Sequence, residues 1–148
     1  MLDVPSLLAR MAGRNVYFDT NIFIYVLNNT PGLAGPCLRL LEVCASGHIA
    51  GLTGELTLAE LLVKPLQLND AAAVASVREL LIDDGAISLV GHDRTAFERA
   101  ALHRARHGLK LPDALQLATA QLAGAACLVS NDRKFPTLPG IESVSLLD

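Results

Sequence analysis

Short β-rich apolar runs alternate with helical runs along this chain, and that alternation restricts it to a small set of folds. Val16-Tyr17-Phe18 follows Gly13-Arg14-Asn15 and reads as a first strand. Thr20 to Leu27 reads as a helix ended by Asn28-Asn29-Thr30-Pro31-Gly32. A helix from Cys37 to Ala45, a short strand from His48 to Leu52 and a helix from Leu56 to Val63, stopped at Lys64-Pro65, follow in order. Asp70 to Ile82 reads as the next helix and Ala86 to Val90 as a third strand. Asp93 opens a helix that runs to about His107, with Gly108 just past its end. Pro112 opens another, closed by Gly124. Ala126 to Val129 and Glu142 to Leu146 read as the last strands. Strands alternating with helices predict an α/β fold, a mainly parallel sheet covered on both faces. Ligands of such folds gather beyond the carboxyl ends of the strands.

A chain of 148 residues fits one domain, 1–148, with a sizeable core. The composition is 51% hydrophobic, yet no stretch approaches the ~18 uninterrupted apolar residues of a membrane span. Met1-Leu2-Asp3-Val4-Pro5 lacks the basic, then apolar pattern of a signal peptide, so a cytoplasmic location is expected. The apolar surplus has two readings, a leucine- and alanine-rich core or a partner interface. Cys37, Cys44 and Cys127 match no metal-binding spacing and read as small buried hydrophobes. With a net charge of −3 the chain is no polycation, so nucleic-acid affinity requires a local basic patch.

Four acids out of 15 stand in apolar settings where strands end or helices begin: Asp19, Glu60, Asp113 and Asp132. Each has an ordinary alternative. Asp19 can cap the helix after the first strand, Asp113 can complement a helix dipole, and Asp132 can shape a turn. Glu60 is the one charge in Leu56-Thr57-Leu58-Ala59-Glu60-Leu61-Leu62-Val63, a helix whose apolar character predicts burial, unless Glu60 lies on an exposed edge. Taken together, the four come from separate segments that the fold class brings to one sheet edge. Clustered carboxylates raise one another's pKa values unless something compensates. Magnesium or manganese, with oxygen ligands, would do so, and such ions serve phosphoryl transfer.

At these residues the chain resembles the PIN-domain ribonucleases, and within them the VapC-type toxins of toxin–antitoxin pairs. The resemblance rests on Phe18-Asp19-Thr20-Asn21, Leu56-Thr57-Leu58-Ala59-Glu60, Leu111-Pro112-Asp113-Ala114-Leu115-Gln116-Leu117-Ala118-Thr119-Ala120 and Leu128-Val129-Ser130-Asn131-Asp132-Arg133-Lys134-Phe135. Carried over by position, Asp19, Glu60, Asp113 and Asp132 resemble the family's catalytic and metal-binding acids, and Thr20, Asn21 and Ser130 its supporting polar residues. The resemblance implies a three-layer α/β/α sandwich and Mg2+- or Mn2+-dependent cleavage of RNA, with tRNA or ribosomal RNA as the usual target. It further implies a homodimer and a small antitoxin protein that blocks the acidic site.

An acidic site repels RNA, so basic residues should flank it. Arg94, Arg99, Arg104, Arg106 and Lys110 precede Asp113, and Arg133 and Lys134 follow Asp132. Of these, Arg99, Arg104, Arg106, Lys110, Arg133 and Lys134 are candidate phosphate contacts; the alternative is a solvated helix face. Arg99, His103 and Arg106 share helical spacing and form one stripe. Three competing readings remain open. The first is a phosphatase using Asp19 as nucleophile, which would usually need an acid where Asn21 stands. The others are an RNA-processing nuclease without an antitoxin and a non-catalytic RNA- or partner-binding module.

Overall fold

Residues 1–148 are described by a computed structural model. The chain starts with helix α1, Val4–Met11. Asp3 caps it by accepting the Ser6 N–H at 3.1 Å, and Val4, Leu7 and Met11 are buried along one face. A strand-first reading passes over this helix, although Asp3, Pro5 and the apolar spacing announce it.

The sheet has five strands, all parallel: β1 (Asn15–Phe18), β2 (Ala50–Gly54), β3 (Ile87–Val90), β4 (Cys127–Ser130) and β5 (Glu142–Ser145), in the order β3-β2-β1-β4-β5. β1 lies at the centre, pairing Val16 with Gly51 on one side and with Cys127 on the other. Parallel neighbours need crossovers. These are α2 (Thr20–Leu27) and α3 (Ala34–Ala45), then α4 (Glu55–Gln67) and α5 (Ala71–Arg78), then α6 (Arg94–His107) and α7 (Leu111–Leu122).

Alternation along β1 separates two apolar cores. Val16 and Phe18 point into one with α1, α2 and α3, while Tyr17 points into the other with α6 and α7. The chain is therefore an α/β fold with its parallel sheet flanked by helices. Cys37, Cys44 and Cys127 are buried, and burial pushes their thiols up to about 11, 12 and 12.

Four expectations need correction. The second strand forms over Ala50–Gly54, two residues later than its sequence implies, because its glycines serve close packing instead of breaking the strand. Helix α4 continues through Pro65 to Gln67, since a proline near the last turn forfeits only the bond to the Leu61 carbonyl. The same helix is not buried all round: only Thr57 and Leu61 are covered, and Glu60, Val63 and Leu66 are exposed. The helix expected over Asp70 to Ile82 is present, but its last turn, Glu79–Asp83, widens to π geometry, with the Asp84 N–H bonded to the Glu79 carbonyl.

Two glycines make the packing argument measurable. A methyl group on Gly51 would lie 2.6 Å from both Cys44 Sγ and Ile87 Cδ1, whereas one on Gly35 in α3 meets nothing within 4 Å beyond its chain neighbours. Gly51→Ala should destabilise the protein by about 1–3 kcal/mol. Gly35→Ala should change stability far less, by about 0.5 kcal/mol at most, because the helix-propensity gain is offset by crowding of the new Cβ against the following Pro36. Urea denaturation of the two variants checks both magnitudes.

Candidate functional site

Two strand ends and two helices carry the four acids to the carboxyl edge of the sheet. Asp19 follows β1, where its N–H donates to the Val129 carbonyl of β4 at 2.9 Å. It both caps α2 and sits in the site: Oδ1 accepts the Thr20 N–H at 2.9 Å, and Oδ2 accepts the Ser130 hydroxyl at 2.8 Å. Asn21 donates to Ser130 Oγ at 3.0 Å and accepts the Asn131 N–H at 3.2 Å, tying the first turn of α2 to the end of β4. Asn21 thus has a bracing role where a phosphatase would carry a second acid. Asp19 is 7% exposed. Burial holds its carboxyl above the usual range, against the Ser130 and Thr20 hydrogen bonds that lower it; the Asp113 charge adds to the rise and Lys134 opposes it.

Glu60 reaches the same place from α4. Its Oε1 accepts the Thr20 hydroxyl at 2.8 Å. Behind this pair lies a buried polar chain that the sequence reading overlooks. Thr20 and Thr57 hydroxyls are 3.1 Å apart, Gln116 donates to Thr57 Oγ1 at 2.9 Å, and Tyr17 donates to Gln116 Oε1. Thr57 also meets Thr53, whose hydroxyl bonds the Phe18 carbonyl at 2.8 Å. A usable signal existed. Thr57 precedes Glu60 by three residues and Gln116 follows Asp113 by three, so each lies on the same helix face as its acid.

Asp113, in the first turn of α7, and Asp132, beyond β4, meet around one ammonium group. Lys134 Nζ lies 2.7 Å from Asp113 Oδ2 and 2.9 Å from Asp132 Oδ2. Burial opposes the charge on Asp132, but the Lys134 side chain and N–H outweigh it and hold the carboxyl below its usual range. Burial likewise disfavours the Lys134 ammonium, and its two carboxylate partners outweigh that and raise it. The acids therefore share one edge without closing on one point: no three of them surround a common position for an ion. Their donor atoms are all oxygen, the type a hard cation takes. Asn131 Oδ1, buried beside them, has no hydrogen-bond partner.

The basic candidates separate. Lys134 joins the acids. Arg133 binds the carboxyl-terminal end, at the Leu147 carbonyl and Asp148. Arg104 donates to the Leu109 carbonyl at 3.0 Å. Lys110 is exposed just before α7. Arg99 and Arg106 line one cavity with His103, as the stripe implies, but none of the four acids borders it, so these arginines do not flank the acidic edge as expected.

A central parallel sheet flanked by helices, with acids along its carboxyl edge, defines the class of this α/β domain. The PIN domain family model matches residues 16–141, and the chain belongs to that family. No curated protein sequence matches it. Among solved structures, a toxin–antitoxin complex from Klebsiella pneumoniae is 24% identical, with a TM-score of 0.63 over 85% of this chain and 94% of that one. VapBC2 from Rickettsia felis, bound to a promoter DNA fragment, is 19% identical, with a TM-score of 0.65 over 88% and 98%. VapC20 from Mycobacterium tuberculosis, a sarcin-ricin loop cleaving toxin, is 16% identical, with a TM-score of 0.61 over 76% and 86%.

One histidine braces the site from outside. His92 Nε2 accepts the Leu56 N–H at 3.0 Å, at the start of α4, so the ring proton lies on Nδ1, facing Thr119 Oγ1 at 2.6 Å. Protonating Nε2 would set a donor against that N–H. Burial lowers the His92 pKa below its ordinary 6.5, with the Glu55 charge opposing. A histidine depressed on folding gives stability that is present above the unfolded value and lost as pH falls through the folded one. The melting temperature of the wild-type protein relative to His92→Gln, whose amide oxygen can still accept the Leu56 N–H, should therefore fall as pH is lowered through the ordinary 6.5. Thermal denaturation of both through that pH is the measurement.

Proposed function

We propose that this protein is a divalent-metal-dependent endoribonuclease acting as the toxin of a toxin–antitoxin pair. The observation that carries this reading is the delivery of Asp19, Glu60, Asp113 and Asp132 to one sheet edge in a PIN chain, with Lys134 between Asp113 and Asp132. A Mg2+ or Mn2+ ion held by these carboxylates would activate water and offset charge on the phosphoryl oxygens. Asp19, Glu60 and Asp113 are the proposed primary ligands, and Asp132 assists or orients the attacking water. Ser130 and Thr20 fix the Asp19 carboxylate, while Thr20, backed by Thr57, Gln116 and Tyr17, aims Glu60. Lys134 offsets the repulsion between Asp113 and Asp132 when no other cation does so. In the reaction, water adds to phosphorus and one P–O bond of the RNA backbone breaks.

An antitoxin partner is favoured by a cavity of about 510 Å³ beside Glu60, between α2, α4 and α5. Ile24, Leu27, Leu61, Pro65 and Val77 line it, and the neighbouring Val63, Leu66 and Leu68 are exposed. Such a groove accepts the apolar face of a helical segment. Phe97, Leu102, Leu111 and Leu122 on α6 and α7 are also exposed, which suits a homodimer. The neighbouring complexes that contain antitoxins support the same partner class, and the sarcin-ricin loop cleaving toxin supports a structured RNA substrate. No helix of the chain is long and apolar enough to cross a membrane.

Two measurements test the reading. RNA cleavage should require Mg2+ or Mn2+ and stop with EDTA. Asp19→Asn should fold normally yet lose about 10³-fold in rate, the scale of removing one preorganised charge-stabilising group. Metal-dependent cleavage by Asp19→Asn at the wild-type rate would overturn the site assignment. Lys134→Met leaves Asp113 and Asp132 unneutralised, so its melting temperature should rise more on Mn2+ addition than the wild-type value does.

A further inference from the structure

We propose that a groove at the amino-terminal edge of the sheet, lined by Arg14, Arg99 and Arg106, is a second binding site for the phosphodiester backbone of RNA. The proposal rests on the ribonuclease reading and adds a surface that the acidic site does not include. Two cavities form the groove. One, of about 460 Å³, lies between the Gly13–Asn15 turn, the end of α7 and Gly140. The other, of about 320 Å³, runs along α6 past His103 and Arg106. They share Arg99, Gln121 and Pro139, so they are continuous.

Three properties point to a polyanion. First, no Asp or Glu lines either cavity, although the chain holds 15 acids and carries a net charge of −3. Second, its arginines are unpaired. Elsewhere Arg10, Arg133 and Lys134 are held by carboxylates and Arg104 by a carbonyl, while Arg39, Lys64, Arg78, Arg94 and Lys110 are also unpaired but line no cavity free of acids together. Arg14, Arg99 and Arg106 take part in none of the protein's ion pairs or side-chain hydrogen bonds, which leaves planar guanidinium forks suited to phosphate oxygens. Third, Gln121 gives its carbonyl oxygen to His103 Nε2 at 2.6 Å, so its amide N–H groups are left for another acceptor.

The lining also says what the groove does not read. It contains no Phe, Tyr or Trp on which bases would stack. Contacts to phosphates position a nucleic acid without selecting its sequence. Asn15 opens β1 and Asp19 follows it, so four strand steps, about 13 Å, separate the groove's edge from the acids. An RNA cut at the acidic edge reaches the groove only if it extends well beyond the cut site. The groove therefore favours long or folded RNA over short fragments.

The test uses the full chain carrying Asp19→Asn, which binds without cutting. Anisotropy of a labelled single-stranded RNA of about 20 nucleotides is followed from roughly 50 to 200 mM salt. Replacing Arg14, Arg99 and Arg106 with Gln should weaken binding about tenfold or more and shrink the slope of log K against log salt by about 2, from three phosphate contacts at ~0.7 each. Replacing the same three with Lys, which keeps the charge, should restore most of the slope. Equal affinity and slope in the Gln variant would sink the groove, whatever the wild-type protein cleaves. If the wild-type protein cleaves no RNA while the Gln variant still binds weakly, the ribonuclease reading fails and the groove stands.

Discussion

The burial of one carboxylate organises this molecule's functional edge. Asp19 stands where the central strand ends, out of water and close to other acids, and an unsupported charge there is costly. Its oxygens accept from Thr20 and Ser130, which belong to α2 and β4. These bonds only partly offset the cost, so its carboxyl remains raised. Such a carboxyl binds a proton more tightly folded than unfolded, and its contribution to stability declines as pH rises above the ordinary 3.8. A group kept at that cost, at the carboxyl edge of a parallel sheet where ligands of such folds gather, is what the proposed metal site requires.

The same economy recurs around it. Lys134 balances Asp113 and Asp132, and a chain of hydroxyls and one amide runs from Glu60 through Thr20 and Thr57 to Gln116 and Tyr17. Buried polar groups are tolerable when every member finds a partner, and such networks then hold their members in one arrangement. The arrangement links both cores, because Tyr17 faces α7 while its neighbours Val16 and Phe18 face α2 and α3. The acidic edge is thus fixed from both sides of the sheet. The arginine groove lies at the other edge, and no carboxylate lines it.

Much of the fold was legible in local pattern. β1, β4 and β5 are β-rich runs bounded by turns, and α6 ends at Gly108, whose φ of 69° suits glycine. β2 was legible only in part, because Ala-Gly-Leu-Thr-Gly lacks β-branched residues apart from Thr53. Its glycines are there because Cys44, Ile87, His92 and Tyr17 occupy the space a methyl group would need. Those neighbours come from distant segments and leave no local trace. Helix α4 reads as buried because its residues are apolar, yet its exposed face borders a groove that suits a partner.

The sequence by itself determined the alternation of strands and helices, the parallel sheet and the four acids of the edge. Periodicity and turn chemistry act over a few residues, so they can be read there. Only the tertiary structure decided that Lys134 lies between Asp113 and Asp132, that Thr57 and Gln116 sit behind Glu60, and that Arg14 joins Arg99 across 85 residues of chain. These relations depend on which helix packs against which sheet face, and on which charges are left without a partner once packing is complete.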